Sequence, residues 1–326
     1  MLYIERKNTN PYFNLAAEEY VLKEFSDDVF MLWRNEPCII VGKHQNTLAE
    51  INLDFVKENN IPVVRRITGG GTVFHDLGNL NFTFIKNGEA DKLINFRKFT
   101  QPIIEVLDKL GIEAKFEGRN DLTINGRKFS GNAEHVFRKR VLHHGTLLFS
   151  AQLSNLSKAL KVDPSKFQDK AIKSVRSRVT NISEHLNQPL DVLGFEKLIH
   201  SHIENKFNDF EVIEFSAEDV EKIEKMVGQK YNTWDWNYGY SPKYNFKRNI
   251  KTDGGHIEFN FDVKQGVIEK AKIYGDYFSL KDTSEIEALL TGKLHNQKNI
   301  KQALSKIDIG LYFKNTTIEE FVEGMF

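Results

Sequence analysis

The most informative segment of the chain reads Arg65-Arg66-Ile67-Thr68-Gly69-Gly70-Gly71-Thr72-Val73-Phe74-His75-Asp76. Before it, Pro62-Val63-Val64 predicts a buried strand, and after it the alternating run from Leu80 to Ile85 predicts another. Glycine accepts positive φ and has no Cβ, so three in a row let a ligand lie against the backbone. The paired arginines and the histidine indicate that this ligand is an anion. The alternative interpretation is a glycine-rich hairpin turn.

The composition narrows the class of protein. The 326 residues carry 45 basic and 45 acidic side chains, and this balance argues against general nucleic-acid binding, which needs a basic excess. Apolar residues make up 40%, enough for a core, and no apolar run approaches the roughly 20 residues of a membrane span. The single cysteine, Cys38, excludes an internal disulfide and a cysteine metal cluster. Since Met1 opens no signal-peptide pattern, we expect a soluble cytoplasmic protein without nucleic-acid or membrane partners.

Hydrophobic periodicity predicts mixed helices and strands in the first 245 residues. Continuous apolar runs predict strands at Val29–Trp33 and Cys38–Val41, which we expect to be neighbours. Apolar residues at helical spacing predict helices from Asn14 to Phe25, from Phe99 to Leu110 with Gly111 as the stop, and from Phe195 to Ile203.

The pattern changes near residue 245. His256–Val263 alternates strictly between polar and apolar residues, which predicts a half-exposed strand, and Gln265-Gly266 predicts a turn into a second strand at Val267–Tyr274. Helical spacing of Ile286, Leu289 and Leu290 follows. We therefore predict two domains, residues 1–245 and a small α+β domain of residues 246–326.

A second polar segment runs from Gly118 to Gly131. Asn125-Gly126 predicts a two-residue type I′ hairpin, which pairs Thr123 with Lys128, Leu122 with Phe129, and Asp121 with Ser130. Asp121 and Lys128 then share one face. An ammonium group suits a phosphate or a developing oxyanion, whereas the plain alternative is a solvated lysine. Asp121 either pairs with Lys128 or holds Mg²⁺ beside a nucleotide.

Two more segments fit an anionic ligand. His143-His144-Gly145-Thr146 predicts a strand whose adjacent histidines point to opposite faces, so both cannot hold one metal. Ser174–Asn181 carries Arg176 and Arg178 in a polar loop, which either closes over phosphates or is an ordinary solvated surface.

In combination these motifs resemble those of lipoate-protein ligases. The glycine loop is similar to their lipoate-binding loop, Gly118-Arg119-Asn120-Asp121 and Lys128-Phe129-Ser130-Gly131-Asn132-Ala133 to two further motifs, and Ser174–Asn181 to their adenylate-binding loop. All occur in the family's order and spacing, over nearly the whole chain. Thr68 stands where many members have serine, and His135 where some have arginine.

The resemblance implies an α+β fold: a biotin/lipoate-ligase-like large domain with mixed β-sheets flanked by helices, plus the small accessory domain. It implies salvage of lipoate by ATP-dependent formation of lipoyl-AMP, followed by transfer to a lysine of an acceptor domain. Implied acceptors are the acyltransferase subunits of 2-oxoacid dehydrogenases and the H protein of glycine cleavage. ATP and Mg²⁺ are the implied nucleotide and metal, and a monomer is expected.

The resemblance also implies residue roles. Lys128 matches the catalytic lysine, and Asp121 is the candidate Mg²⁺ ligand. The positions that match the lipoyl pocket are Trp33, Arg66, Thr68, His75 and His144. The positions that match nucleotide-contacting stretches are Gly70, Gly71, Asn120, Asp121, Ser177, Arg178 and Thr180.

Three other readings compete. A lipoyl or octanoyl transferase that forms an acyl-enzyme needs a cysteine nucleophile, and Cys38 lies away from the motifs. A biotin ligase has a different glycine motif and lysine loop. A non-catalytic lipoate carrier would not need Lys128, Asp121 and the arginine loop. We expect Cys38, before a predicted strand, to be buried and inert.

Overall fold

A computed structural model describes residues 1–88, 95–118, 120–160, 179–207, 209–240, 244–277 and 279–326. The chain forms two compact units: Met1–Lys43 with Glu50–Thr233, and His44–Ala49 with Trp234–Phe326. This division falls between Thr233 and Trp234, whereas the sequence places a domain boundary after residue 245. The boundary at 245 stays a prediction.

The strands, in chain order, are β1 (Leu2–Ile4), β2 (Val29–Arg34), β3 (Cys38–Val41), β4 (Val63–Arg65), β5 (Val73–His75), β6 (Asn79–Asn87), β7 (Ala114–Glu117), β8 (Asp121–Ile124), β9 (Arg127–Phe137), β10 (Arg140–Leu148), β11 (Glu211–Ile213), β12 (Tyr244–Thr252), β13 (Gly255–Lys264) and β14 (Val267–Gly275). The described α-helices are α1 (Pro11–Glu24), α2 (Thr47–Glu50), α3 (Leu53–Glu58), α4 (Phe96–Lys109), α5 (Leu153–Ala159), α6 (Val192–Lys206), α7 (Ala217–Met226), α8 (Ser284–Leu290), α9 (Gln297–Leu304) and α10 (Ile318–Glu323).

A large mixed sheet organises the first unit. Its strand order is β11-β1-β2-β6-β10-β9-β8-β7, in which β11, β1 and β2 run parallel and the remaining pairs are antiparallel. Alternation along β6 sends Phe82 and Phe84 into the core with α4 and α6, and sends Asn81 and Thr83 to the opposite face. Helix α1 lies across that opposite face, because Glu18 bonds the side chain of Thr83. The predicted fold class is confirmed.

A separate three-stranded sheet carries the glycine loop. Strand β3 lies in its centre, parallel to β4 and antiparallel to β5. The expectation that β3 neighbours β2 is therefore wrong, because a short apolar run says that a strand is buried but not which strand it pairs with. The hairpin-turn interpretation of the glycine loop is also wrong, since β4 and β5 flank β3 and do not pair with each other.

The β8–β9 hairpin follows the predicted register only near its turn. Asn125 and Gly126 both have positive φ, as a type I′ turn requires, and Thr123 pairs with Lys128. Beyond that pair the register shifts by one residue, so Leu122 lies opposite Ser130 instead of Phe129. Phe129 is the extra residue of a β-bulge, and both it and Ser130 are buried. Asp121 consequently lies opposite Gly131, which corrects the predicted pairing with Ser130.

The second unit has its own core. Strands β12, β13 and β14 form an antiparallel sheet, and the predicted turn at Gln265-Gly266 is confirmed by positive φ at both residues. Strand β12, which completes this sheet, was not predicted from the sequence. Alternate residues of β13 pack with α8, α9 and α10, as the strict alternation of its sequence predicts.

Candidate active site

A cavity of about 140 Å³ lies in the first unit, between the face of the large sheet that α1 crosses and the glycine loop of the small sheet. Its apolar lining comes from Leu15 on α1, Trp33 on β2, and Ile40 and Val73 on the small sheet. Eight of the residues predicted from sequence meet around this space: Trp33, Arg66, Gly70, Gly71, His75, Asn120, Lys128 and His144.

The guanidinium of Arg66 shapes the glycine loop from within. Arg66 is only 6% exposed, and its Nη2 donates to the carbonyl oxygens of Gly69 and Gly71, each at 2.7 Å. Its Nε donates to the hydroxyl of Thr68 at 2.9 Å. Burial, followed by the charge of Arg65, lowers the pKa of Arg66 to about 10. Arg66 therefore stays cationic at neutral pH, and much of its donor capacity is used by the loop.

Two glycines of the loop border the cavity in different ways. Gly70 has φ of +92°, a conformation that side chains disfavour, and a Cβ there would lie 3.0 Å from Nη2 of Arg66. Among the described residues other than its chain neighbours, a Cβ at Gly71 would meet no atom within 4 Å. A side chain at Gly71 would therefore extend into the space beside the loop.

His75 is a buried, neutral histidine in the cavity wall. Burial, followed by the charge of Arg66, lowers its pKa to about 3. The amide of Asn35 donates to Nδ1 of His75 at 3.2 Å, so the neutral ring carries its proton on Nε2. Within the described ranges this Nε2 has no hydrogen-bond partner. The wall therefore presents a neutral N–H donor at this position.

The tandem histidines on β10 face opposite sides of the sheet, as predicted. His143 stacks on Phe99 in the core, with ring centroids 4.9 Å apart, and its Nδ1 lies 2.8 Å from Glu134. Burial lowers the pKa of His143 and raises that of Glu134 to about 7. His144 lies on the cavity side, with Nδ1 3.0 Å from Glu18 and Nε2 2.8 Å from the hydroxyl of Thr68.

Lys128 and Asp121 form the predicted pair. Their Nζ and Oδ1 atoms lie 2.7 Å apart, and the two side chains are 41% and 37% exposed. The backbone of Lys128 is fixed on both sides, because Thr123 pairs with it in the hairpin and the amide of Thr180 donates to its carbonyl at 2.9 Å. A half-exposed ammonium group thus lies on a fixed strand at the edge of the cavity.

Five predicted residues do not line the cavity or lie outside the described ranges. Asp121 reaches the cavity edge only through its contact with Lys128. Thr68 is buried behind the loop, between Arg66 and His144. The hydroxyl of Thr180 lies 3.1 Å from Glu184 and 2.9 Å from His185. Ser177 and Arg178 fall outside the described residues, so their predicted nucleotide contacts remain predictions.

Several residues around the cavity were not predicted from the sequence, among them Leu15, Asn81, Asn132 and Thr146. Glu18 and Thr83, which lie behind the wall, were not predicted either. The sequence does carry a signal for two of them, because alternation in β6 places Asn81 and Thr83 together on the face opposite its phenylalanines.

Cys38 lies on β3 and is buried, as predicted, and it does not line the cavity. Burial raises the pKa of its thiol, which disfavours the nucleophilic thiolate. No helix within the described ranges is both long and apolar enough to cross a membrane.

Comparison with known families agrees with this geometry. The family described as the lipoyl protein ligase A/B catalytic domain matches residues 10–204, and the bacterial lipoate protein ligase C-terminus matches residues 241–325. The chain belongs to the lipoate-protein ligase family. It is 46% identical to lipoate–protein ligase 1 of Staphylococcus aureus, with all of both chains covered. It is 44% identical to the lipoate-protein ligase LplJ of Bacillus subtilis, with 99% of both chains covered.

Solved structures of lipoate-protein ligases share the fold of this family member. A bipartite ligase from Thermoplasma acidophilum, studied with its lipoyl domain, has a TM-score of 0.66 at 29% identity, over 74% of this chain and 97% of the other. LipL1 of P. falciparum in complex with lipoate has a TM-score of 0.62 at 28% identity, over 99% and 96%. A lipoate-protein ligase A bound with ATP has a TM-score of 0.64 at 26% identity, over 73% and 98%.

Proposed function

We propose that this chain activates lipoate with ATP to form lipoyl-AMP and then transfers the lipoyl group to a lysine of an acceptor protein. The observation that carries this proposal is the position of Lys128, at the edge of a cavity whose other walls include Leu15, Trp33, Ile40 and Val73. An apolar acyl chain fits such walls, and burial of each methylene contributes about 0.8 kcal/mol. The carboxylate end of that chain would then lie near the ammonium group.

The first half-reaction is an attack of one lipoate carboxylate oxygen on the α-phosphorus of ATP, with pyrophosphate as the leaving group. Among the described lining residues no side chain is placed as a covalent nucleophile, so direct transfer by positioning and charge stabilisation is proposed. Lys128 would attract both anions and offset the charge that builds up on the phosphoryl oxygens. The buried cation of Arg66 would add a fixed positive field behind the loop.

The second half-reaction is an attack of the acceptor ε-amine on the acyl carbonyl carbon. The bond to AMP breaks, AMP leaves with the electron pair, and the amine loses a proton. The carbonyl oxygen becomes an oxyanion in between, and Lys128 is the proposed donor to it. Because Lys128 is held by one half-exposed carboxylate, it can exchange Asp121 for each of these oxygens in turn.

Mg²⁺ is implied by the use of ATP, and the chain offers a limited site for it. Within the described part of the chain, no three His, Cys, Asp or Glu side chains are grouped to hold a metal. Mg²⁺ commonly takes only one or two carboxylates and fills its remaining positions with phosphate oxygens and water. Asp121 fits that role, and the ion would neutralise phosphate charge while Lys128 turns toward the reacting oxygens.

The proposed acceptors are the lipoyl domains of 2-oxoacid dehydrogenase acyltransferases and the H protein of glycine cleavage. A monomer in the cytoplasm is the proposed working form. Ser177, Arg178 and Thr180 are proposed to serve the nucleotide through the backbone or side chains of their loop.

Incubation with ATP, Mg²⁺, lipoate and a panel of apo-acceptor domains, followed by intact-mass measurement, tests the proposal. We expect one acceptor to gain the mass of a single lipoyl group, with no gain when ATP is omitted or when the acceptor lysine is replaced by arginine. Modification from an octanoyl-carrier donor without ATP would instead identify a transferase.

A further inference from the structure

Three neighbouring strands and one helix bring unassigned polar side chains together behind the cavity. Thr83 on β6 pairs directly with His144 on β10, and on its other side it lies opposite Met31, two residues before Trp33 on β2. Helix α1 crosses this face and brings Glu18 to within 2.5 Å of the Thr83 hydroxyl. Both Thr83 and Glu18 are buried, and neither lines the cavity.

One arm of this cluster, a series of hydrogen bonds that begins at Glu18, leads to Trp33 in the cavity wall. The indole N–H of Trp33 donates to the Thr83 hydroxyl at 2.9 Å. The Thr83 hydroxyl in turn donates to the carboxylate of Glu18, because a carboxylate can only accept. The Thr83 hydroxyl therefore donates its single proton to Glu18 and accepts from the indole N–H of Trp33. The direction of both hydrogen bonds is thereby fixed.

The other arm runs to the glycine loop. His144 donates from Nδ1 to the same carboxylate, at 3.0 and 3.1 Å to its two oxygens. In the neutral imidazole Nε2 is then an acceptor, which receives the hydroxyl of Thr68 at 2.8 Å. The Thr68 oxygen accepts from Nε of Arg66, and Arg66 holds the carbonyl oxygens of Gly69 and Gly71.

We propose that Thr83 and Glu18 are positioning residues for the acyl substrate, because the Glu18 carboxylate terminates both arms. One arm sets the orientation of the Trp33 ring and the other sets the tautomer of His144 and the shape of the loop. The proposal rests on the function proposed above, since it treats the cavity as the acyl site. Loss of the Thr83 hydroxyl would free the Trp33 ring and remove one donor from a buried carboxylate.

Thr83→Val is the direct test, because valine keeps the shape of threonine and removes only the hydroxyl. Thr83→Ser restores the hydroxyl and serves as the rescue. Thr100→Val on α4 is the matched control, since Thr100 is also fully buried but bonds only backbone carbonyls of its own helix. Each variant is measured for lipoate KM and kcat in lipoyl-AMP formation.

The indole N–H signals in a nitrogen–proton NMR spectrum give a readout that catalysis does not influence. The chain has three tryptophans, and Trp33→Phe assigns the signal of Trp33. We expect this signal to shift and its hydrogen exchange to accelerate in Thr83→Val, with recovery in Thr83→Ser. We also expect the lipoate KM of Thr83→Val to rise roughly tenfold with little change in kcat, and Thr100→Val to match the wild type.

Glu18→Gln tests the second arm and keeps the test informative if Thr83→Val fails to fold. The amide oxygen can still accept from Thr83 and from Nδ1 of His144, because both lie within 3.0 Å of the same carboxylate oxygen. The amide is neutral, however, and its NH₂ replaces the second oxygen, 3.1 Å from Nδ1, so the hold on His144 is weakened. We expect the His144 ring-nitrogen shifts to change and the lipoate KM to rise.

Wild-type KM and an unchanged Trp33 signal in Thr83→Val, or unchanged His144 ring-nitrogen shifts and wild-type KM in Glu18→Gln, would overturn the proposal. In either case a wild-type enzyme that still makes lipoyl-AMP would leave the proposed function intact. A wild-type enzyme without lipoyl-AMP formation would overturn both.

Discussion

The two cations of the cavity are held in opposite ways. Arg66 is 6% exposed and donates to Thr68, Gly69 and Gly71, so it is part of the wall. The side chain of Lys128 is 41% exposed and forms an ion pair with the half-exposed carboxylate of Asp121. A buried ion pays a large cost when its partners are lost, whereas an exposed pair contributes little and exchanges partners readily. Arg66 therefore maintains the shape of the glycine loop. Lys128, on the β8–β9 hairpin, supplies a positive charge that can contact one reacting oxygen after another.

The largest effect is expected from removal of the movable charge. Loss of a single oxyanion donor typically lowers the rate roughly 10²–10³-fold, and Lys128→Ala should lose at least this much in both half-reactions. Lipoyl-AMP formation and transfer from synthetic lipoyl-AMP are measured separately. Lys115→Ala is the matched control, because Lys115 is an exposed lysine on β7, two strands from Lys128 in the same sheet, and is paired with Glu113. Near-normal formation of lipoyl-AMP by Lys128→Ala would remove Lys128 from the mechanism.

A side chain at Gly71 should fill the space beside the loop. Because a Cβ there meets no atom of the described residues within 4 Å, its chain neighbours aside, Gly71→Val should fold and compete with substrate. Overpacking costs roughly 1–3 kcal/mol, which corresponds to a 5- to 150-fold loss in lipoate affinity measured by calorimetry. Gly69→Val is the control, because Gly69 has equal space but does not line the cavity. Unchanged lipoate affinity in Gly71→Val would show that lipoate does not lie beside Gly71.

Removal of the Asp121 charge should change the dependence of activity on Mg²⁺ and should leave the KM for lipoate unchanged. Asp121→Asn removes one charge-assisted contact, so the Mg²⁺ concentration for half-maximal activity should rise roughly tenfold. The KM for lipoate should stay constant, because Asp121 does not line the cavity. A Mg²⁺ titration at saturating ATP measures this effect. An increase in lipoate KM without a change in Mg²⁺ dependence would assign Asp121 to lysine positioning alone.

The last effect concerns stability at acid pH. The pKa of His75 is about 3 in the folded chain, against about 6.5 for a free histidine. Below pH 6.5 the unfolded chain binds the proton more readily, so this contribution to stability is complete above pH 6.5 and is lost as pH falls toward 3. The slope is at most about 1.4 kcal/mol per pH unit for one proton. The free energy of unfolding should fall less in His75→Gln than in the wild type as the pH is lowered from 6.5 to 4.5. Urea denaturation at pH 6.5, 5.5 and 4.5 measures this difference.

Exposed His256 provides the control for this comparison, because its side chain is 60% exposed. His256→Gln should follow the wild-type pH profile. A His75→Gln profile that also coincides with wild type would mean that His75 binds its proton in the folded chain as readily as in the unfolded chain, contrary to its burial.

Contacts between candidate site residues could be predicted from the sequence more reliably than the pairing of the strands that carry them. The Lys128–Asp121 contact follows from the type I′ signal of Asn125-Gly126, which fixes the register for the residues next to the turn. The bulge at Phe129 could not be predicted from the turn motif. It depends on the burial of Phe129 and Ser130, whose packing offsets the loss of regular strand pairing.

Glu18 shows a second limit of prediction from sequence. It stands beside Glu19 in a helix that is almost wholly buried, and a pair of glutamates normally marks a solvated face. Its burial depends on donors from strands 65 and 126 residues away along the chain, Thr83 and His144. No local pattern carries that information, whereas the alternation of Asn81 and Thr83 in β6 does indicate a polar face.

Lipoate-dependent exchange of radiolabelled pyrophosphate into ATP tests the central claim most directly, because it reports reversible adenylation without any acceptor protein. We predict exchange by the wild-type chain that requires both lipoate and Mg²⁺, falls at least roughly 10²-fold in Lys128→Ala, and persists in Lys115→Ala. The absence of lipoate-dependent exchange by the wild-type chain, or equal exchange by Lys128→Ala, would contradict the account.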